Sequence, residues 1–315
     1  ADIMSLSNEL IYGNQLRCGS EMVAKSSLDV PWLGQLPALF LEAKAQHPAK
    51  WARASEWAKE ATGGASQQGG LGRHAGWLEV ALLPKHKVVF LDTDGAPAHE
   101  KVLETSKGNV YNPIEATIAA QLLSWLAVGG VNPGRMAYLS PYRAQLKEVR
   151  SALPPSLKGI EALTVDKAQG RDFDFLVLTM VRSNETGAIG NLLSDWRRLN
   201  VAFSRAKQKL VVIGSRRTLQ HSTILSSFLE LIDRQGWCLE LPPDVTDLYA
   251  MPPTASLSWF KNTWDRAGSR PVLATNVSFD RPITANLVHE IQQRPPNLVV
   301  PVEEATHLVQ RESDW

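Results

Sequence analysis

Cysteine is nearly absent: 315 residues hold two, Cys18 and Cys238, far apart and without metal-ligand spacing. That excludes a disulfide framework and a local zinc motif, and leaves two ordinary buried thiols in a reducing compartment as the plain reading. Long apolar runs are missing too; none approaches the roughly 18 residues of a membrane span. Ala1-Asp2-Ile3-Met4 is not a basic region followed by an apolar one, so no secretory leader is read here. The net charge is only +1, which says little about partners as a total. A phosphate loop, G-x-x-x-x-G-K-[ST], is also lacking. Gly64 to Gly69 has the glycine spacing, but Gly70-Leu71 stands where Lys-Ser/Thr is required, and the stretch follows helix-like sequence rather than a strand. It reads as a loop.

What is present is a chain long enough for one large or two ordinary domains, with 44% apolar residues for the core. It opens in what already reads as a helix, Ile3 to Ile11, ending at Tyr12-Gly13-Asn14. The expectation is a segment of something longer. Residues 31–86 show no clean period apart from a helix near Ala49 to Ala61, and Thr62 to Gly72, with five glycines, reads as a flexible loop. An ordered alternation follows. Strands are expected at Lys87–Leu91, Arg135–Leu139, Ile160–Val165, Phe175–Val181 and Leu210–Ile213. Helices are expected at Pro113–Ala127, Tyr142–Leu153, Asp195–Lys207 and Thr223–Asp233.

Strands apolar throughout, alternating with helices, indicate a parallel sheet covered on both faces, a doubly wound α/β domain. That domain is expected to span 1–241, with an irregular insertion at about 31–86. Residues 242–315 form a Pro-rich tail with the composition of a flexible segment.

Cations are concentrated in one place. From Leu193 to Arg217 there are seven Lys/Arg against one acid, Asp195. Within that stretch Trp196, Leu199, Phe203 and Ala206 share one helix face, while Arg198 and Arg205, seven apart, project another way. Either the helix has a solvated basic face or something anionic docks there. In open α/β sheets ligands bind beyond the carboxyl ends of strands. Three polar clusters are expected on that one rim: Ser140 to Gln145, Thr164 to Asp172, and the Asp195 helix.

Two stretches, TVDKAQGRDFDFLVLTMVRSN from Thr164 and DWRRLNVAFSRAKQKLVVIG from Asp195, resemble late signature motifs of superfamily 1 helicases of the 5′-to-3′ branch. Asp195-Trp196-Arg197-Arg198, the linker RSNETGAIGNLLS and Lys207 are more similar to the eukaryotic DNA replication helicase/nucleases than to nonsense-decay RNA helicases, which usually carry proline where Trp196 stands. The likeness runs from about Ala1 to Leu241 and leaves the tail unmatched. It implies the second RecA-like motor domain (P-loop NTPase type), which closes over ATP held by a first domain carrying the phosphate loop and magnesium ligands.

In that setting Arg205 matches the family's arginine aimed at the γ-phosphate, where charge builds on the transferring group. Gln169 and Gly170 would let backbone approach the nucleotide, and Asp172 would bond the ribose hydroxyls; the alternative for Asp172 is a surface acid paired with Arg171. Thr164 matches a position holding a nucleic-acid phosphate, or else is a threonine ending a strand. Ser140 and Tyr142 would touch a single strand's backbone or sugar, with packing as the other role for Tyr142. Arg198 is expected to be structural or to meet neighbouring acids.

Ala168 stands where relatives carry an aromatic, and Ser204 stands where they carry threonine. The resemblance further implies ATP with Mg²⁺, and a 4Fe-4S cluster confined to an upstream nuclease region. The implied partners are single-stranded DNA, the upstream motor and nuclease domains, and replication and repair proteins, with no membrane. The nucleus is the implied location, with the mitochondrion second, and the segment alone is expected to be inactive as an ATP hydrolase. The competing reading is a stand-alone RecA-like remnant that binds nucleic acid or protein without hydrolysis.

Overall fold

The computed structural model describes residues 2–60, 70–103 and 109–249, without the side chains of residues 22 and 23. The Gly64 to Gly69 loop and the tail from residue 250 onward lie outside the described residues. In chain order come helices α1 (Asp2–Leu10), α2 (Glu21–Lys25), α3 (Leu36–Gln46) and α4 (Pro48–Glu60), then strand β1 (Gly72–Arg73), helix α5 (Trp77–Leu82) and strand β2 (Val88–Asp92). A ribbon of β3 (Lys101–Val102) and β4 (Val110–Tyr111) precedes α6 (Pro113–Val128), β5 (Met136–Ser140), α7 (Arg143–Ala152), β6 (Glu161–Thr164) and β7 (Phe173–Thr179). The described chain ends with α8 (Asn191–Ser194), α9 (Trp196–Ser204), β8 (Ala206–Gly214), α10 (Arg216–Leu219), α11 (Thr223–Gln235), β9 (Cys238–Glu240) and α12 (Val245–Leu248).

Seven strands form one sheet in the order β1-β9-β2-β8-β7-β5-β6, every pairing parallel. The alternation along each strand sets up two cores. Val89, Leu91, Tyr138, Phe175, Val177, Val211 and Ile213 point to one face, against α6. Val88, Phe90, Ala137, Leu139, Leu176, Leu178, Leu210 and Val212 point to the other, against α1, α9 and α11. Strands buried on both faces need apolar residues at every position, which is why β2, β7 and β8 read as continuous apolar runs. This is the doubly wound, RecA-like α/β fold.

Helix α6 is buried on nearly all sides. Asn112 caps it by accepting the Glu115 N–H at 3.2 Å, and Pro113 opens it with a preset φ. Helix α1 ends at Leu10, and the turn that follows holds Gly13 and Asn14 at positive φ, close to the expected stop.

Two expectations change. Residues 31–86 are mainly helical, not irregular: α3, α4 and α5 wall off the α6 side of the sheet. Helix α3 (LPALFLEAKAQ) buries Leu36, Phe40 and Ala43 on one face, but alanine and proline on its exposed side (Pro37, Ala38, Ala45) blur the contrast that announces an amphipathic helix.

The chain also stays packed past Pro242. Tyr249 is fully buried and meets Phe40, Trp51 and Trp77 edge-on, with ring centroids 5.5, 5.2 and 5.7 Å away. Trp51 and Trp125 donate their indole N–H groups to the Leu248 and Tyr249 carbonyls, each at 3.2 Å. Insertion and early tail are therefore one structural unit.

Candidate functional site

Register divides the expected site residues between two rims of the sheet. Ser140 pairs with Thr164 at the carboxyl ends of β5 and β6. Phe173 pairs with Ala206 at the amino ends of β7 and β8, and the Phe173 N–H donates to the Arg205 carbonyl at 2.9 Å. Asp172 and Arg205 each precede those residues, so they stand at the amino rim. The pairing of Leu139 with Leu178 sets Ser140 level with Thr179. From there back to Asp172, seven residues of about 3.3 Å each put the rims on the order of 20 Å apart. Convergence on one rim is thus corrected. A helix that precedes a parallel strand runs back across the sheet, and α9 delivers its last residues to the edge where β8 begins.

The segment 165–172 makes the same crossing from β6 to β7, as a 3₁₀ turn (Val165–Ala168) followed by Gln169 and Gly170. It lies beside α9, and two ion pairs join them like rungs. Arg198 Nε meets Asp166 at 2.9 Å toward the carboxyl rim, and Arg205 Nη1 meets Asp172 at 3.0 Å at the amino rim. Ala168 is fully buried between them.

The Arg205 guanidinium is well tethered. Its Nε donates to Val201 O at 3.1 Å, Nη1 also to Arg171 O at 3.4 Å, and Nη2 to Ser204 Oγ at 2.9 Å. Its side chain is 19% exposed, against 44% for Asp172. Asp172 therefore pairs with Arg205, while Arg171 takes Glu161 at 2.6 Å. Gln169 is exposed. Gly170 has φ +77 with nothing within 4 Å of where a Cβ would stand, so glycine is required there by backbone conformation rather than by crowding. The amino rim thus offers one oriented, permanently charged fork beside an open backbone turn, which is chemistry suited to phosphate oxygens.

At the carboxyl rim only Thr164 of the three expected residues has accessible surface; it is half-buried. Ser140 is fully buried, and its Oγ accepts the Tyr142 N–H at 3.3 Å. As the rim stands, that hydroxyl holds the loop rather than reaching a strand. Tyr142 is 5% exposed, packed with Val110 and Val181, and its hydroxyl bonds Arg182; burial pushes its pKa up. Packing is the role observed for its ring.

Two residues of the cation-rich stretch also stand out. Lys209 lies inside β8, fully buried, donating to Leu83 O at 2.9 Å and to His86 O, and burial pushes its pKa down to about 7. Trp196 is 43% exposed instead of facing the core with Leu199 and Phe203, since it occupies the first turn of α9, beyond the sheet.

A polar network behind the carboxyl rim had no periodic signal in the sequence. One oxygen of Glu100 accepts from Arg182 Nε at 2.9 Å, Ser183 N at 2.8 Å and Asn184 Nδ2 at 3.0 Å. Fully buried Glu115 accepts the Val181 N–H at 2.9 Å, and burial raises its pKa well above the ordinary range. Val181, β-branched yet at φ +72, is strained backbone at the end of β7. The Asn112-Pro113-Ile114-Glu115 run, a cap followed by an acid three residues on, was the one legible signal for this network.

No described helix is long and apolar enough to cross a membrane. Among the described residues, no group of three or more His, Cys, Asp or Glu comes together to hold a metal ion.

Comparison with known proteins adds to this geometry. A family model described as an AAA domain matches residues 1–217. The chain is 36% identical over 241 residues to the DNA replication ATP-dependent helicase/nuclease DNA2 of Mus musculus, covering 76% of this chain and 20% of that protein. It is 35% identical over 242 residues to the Homo sapiens protein of the same name, with 76% and 20% covered. To the Saccharomyces cerevisiae protein it is 30% identical over 295 residues, covering 92% and 17%. That match reaches into the segment after Pro242, for which the motifs had shown no likeness. The chain spans about a fifth of the length of the curated relatives it matches.

Proposed function

The chain belongs to the AAA domain family, and from that premise we propose that it is the second motor half of an ATP-dependent DNA helicase/nuclease. In this reading ATP and its magnesium are held by a first motor domain, and this domain closes over the exposed side of the nucleotide. The observation that carries it is the tethered guanidinium of Arg205 at the amino rim, in an ion pair with the half-exposed Asp172. A phosphate oxygen in place of the Asp172 carboxylate would keep a charge-assisted bond on Nη1, which offsets the loss of the pair. Arg205 turns to the γ-phosphate as charge develops there, Asp172 is freed for the ribose hydroxyls, and Gln169 and Gly170 present backbone to the nucleotide.

The carboxyl rim grips the single strand. Thr164 places its hydroxyl and the neighbouring backbone against a phosphate, an arrangement that holds any sequence. Ser140 and Tyr142 support that loop from within. The segment 165–172 then joins the strand-facing Thr164 to the nucleotide-facing Asp172 in one short crossing, so a shift at one rim is passed to the other as the two motor domains close and part. The same reading places the protein in the nucleus in DNA replication and repair, with nuclease chemistry and a 4Fe-4S cluster in a preceding region. An intact, oriented Arg205 favours a motor over a binding remnant.

The test uses the chain as it stands. Purified, it binds single-stranded oligonucleotides of unrelated sequence weakly, with affinity falling as salt rises, and it turns over no ATP. Turnover above background that vanishes in Arg205→Ala would show that the site is complete without a second domain and sink the proposal.

A further inference from the structure

Beside the carboxyl rim, α1, the first turn of α9 and the first turn of α11 enclose an open groove of about 660 Å³. Leu10, Ile11 and Ile224 give it apolar surface, Trp196 lines it, and Ser222 and Thr223 bring in the start of α11. No Asp or Glu is among its described lining residues. The groove is shallow and open to solvent, with room for one flat ring beside Trp196.

Three features give the groove a chemical character. Trp196 is 43% exposed, and the Arg197 guanidinium lies 4.8 Å from its ring centre, so an indole with a cation beside it meets solvent. Helix α11 runs for 13 residues from Thr223, and its opening N–H groups carry the positive end of the helix dipole. Ser222 stands just before that helix. It is 8% exposed, lines the groove, and its hydroxyl does not cap the helix. A serine hydroxyl open to the groove beside the positive end of a helix, with no acid among the described lining residues, suits an anion.

The geometry points to a subsite for one nucleotide of a single-stranded nucleic acid, its base stacked on Trp196 and its phosphate on Ser222 and the first turn of α11. The groove and the carboxyl rim are tied through one short segment: Leu192, four residues before Trp196, packs against the cluster of Val110, Tyr142 and Val181. Stacking suits a protein that steps along a strand, since every base has a π-face and none is preferred. An acidic peptide would use the anion site and leave the indole idle, so nucleic acid fits the whole groove better. This inference rests on the strand-gripping role proposed for the same rim.

The test is titration of the full chain with oligothymidylate, followed by tryptophan emission and fluorescence anisotropy. Trp196→Ala is expected to weaken binding roughly tenfold, in line with the loss of one stacked base, and to remove most of the quenching. Trp196→Phe, which keeps a ring, restores most of the affinity, and Ser222→Ala weakens it about threefold. Unchanged urea midpoints keep the comparison free of unfolding, as expected for an exposed indole. If wild type binds and both Trp196→Ala and Ser222→Ala bind equally well, the groove is overturned while the Thr164 track stands. If wild type binds no oligonucleotide at any salt, the groove and the strand-gripping role both fall. Displacement of the oligonucleotide by an equal concentration of a phosphorylated acidic peptide would assign the groove to a protein partner and overturn the proposal.

Discussion

Replacing Tyr249 by alanine should destabilise the whole domain, although composition places this residue in a tail. The ring is fully buried among Phe40, Trp51, Trp77 and Trp125. Truncating a buried aromatic to alanine costs about 3–5 kcal/mol, from lost transfer energy and the cavity left behind. The hydroxyl adds a bond to Glu79 Oε1 at 2.8 Å, worth about 1 kcal/mol. Tyr249→Phe isolates that second part. Equilibrium urea unfolding reads both. With a slope of about 2 kcal/mol/M, Tyr249→Ala lowers the midpoint by roughly 2 M and Tyr249→Phe by roughly 0.5 M. Against a net stability of about 5–15 kcal/mol, the first loss leaves the domain marginal. A midpoint for Tyr249→Ala within about 0.3 M of wild type would mean that residues 242–249 contribute little to the fold.

Asp92, buried at the carboxyl end of β2, has its pKa raised from 3.8 to about 7 by burial and by the nearby Asp94. Its neutral form is the one the fold prefers, so its contribution is complete below about pH 4 and is lost as pH rises through 7. Asp92→Asn keeps the Oδ1 acceptor for the Asp94 and Arg216 N–H groups and stays neutral. The variant should melt with wild type at pH 4 and be more stable at pH 8, by at most on the order of 4 kcal/mol; parallel melting curves at both pH values would refute this. Thr164→Ala, in a protein joining this chain to a first motor domain, should cut the ATPase stimulation by single-stranded DNA several-fold and spare the basal rate. Equal stimulation would make Thr164 a strand-ending residue and nothing more.

The sheet was legible because its strands and covering helices each repeat one signal. Val88 to Leu91, Leu176 to Thr179 and Leu210 to Ile213 are apolar on both faces, and α7, α9 and α11 each bury only one side. Arg205, Asp172, Gly170 and Thr164 were singled out by motif resemblance, which gives residue types but not their place in space. Their division between two rims was not legible, because it depends on α9 running back across the sheet. The burial of Lys209 was not legible for a related reason. A lysine at the start of a strand reads as a surface cation, and only the Leu83 and His86 carbonyls from the preceding segment turn it inward. The aromatic wall around Tyr249 was hidden because its partners lie about 125 to 210 residues away in the chain and no local period records them. Glu100 likewise gains its meaning only where Arg182 and Asn184 meet it.

The central claim is that Arg205 serves the nucleotide from the amino rim. Its most direct measurement is single-turnover ATP hydrolysis by the protein that joins this chain to a first motor domain, comparing wild type with Arg205→Ala while nucleotide affinity is measured in parallel. The account predicts a fall of roughly 10³-fold or more in the hydrolysis rate, with affinity changed far less, because the guanidinium acts on charge that appears only as the phosphoryl group transfers. A hydrolysis rate near that of wild type, or a loss confined to affinity, would contradict it.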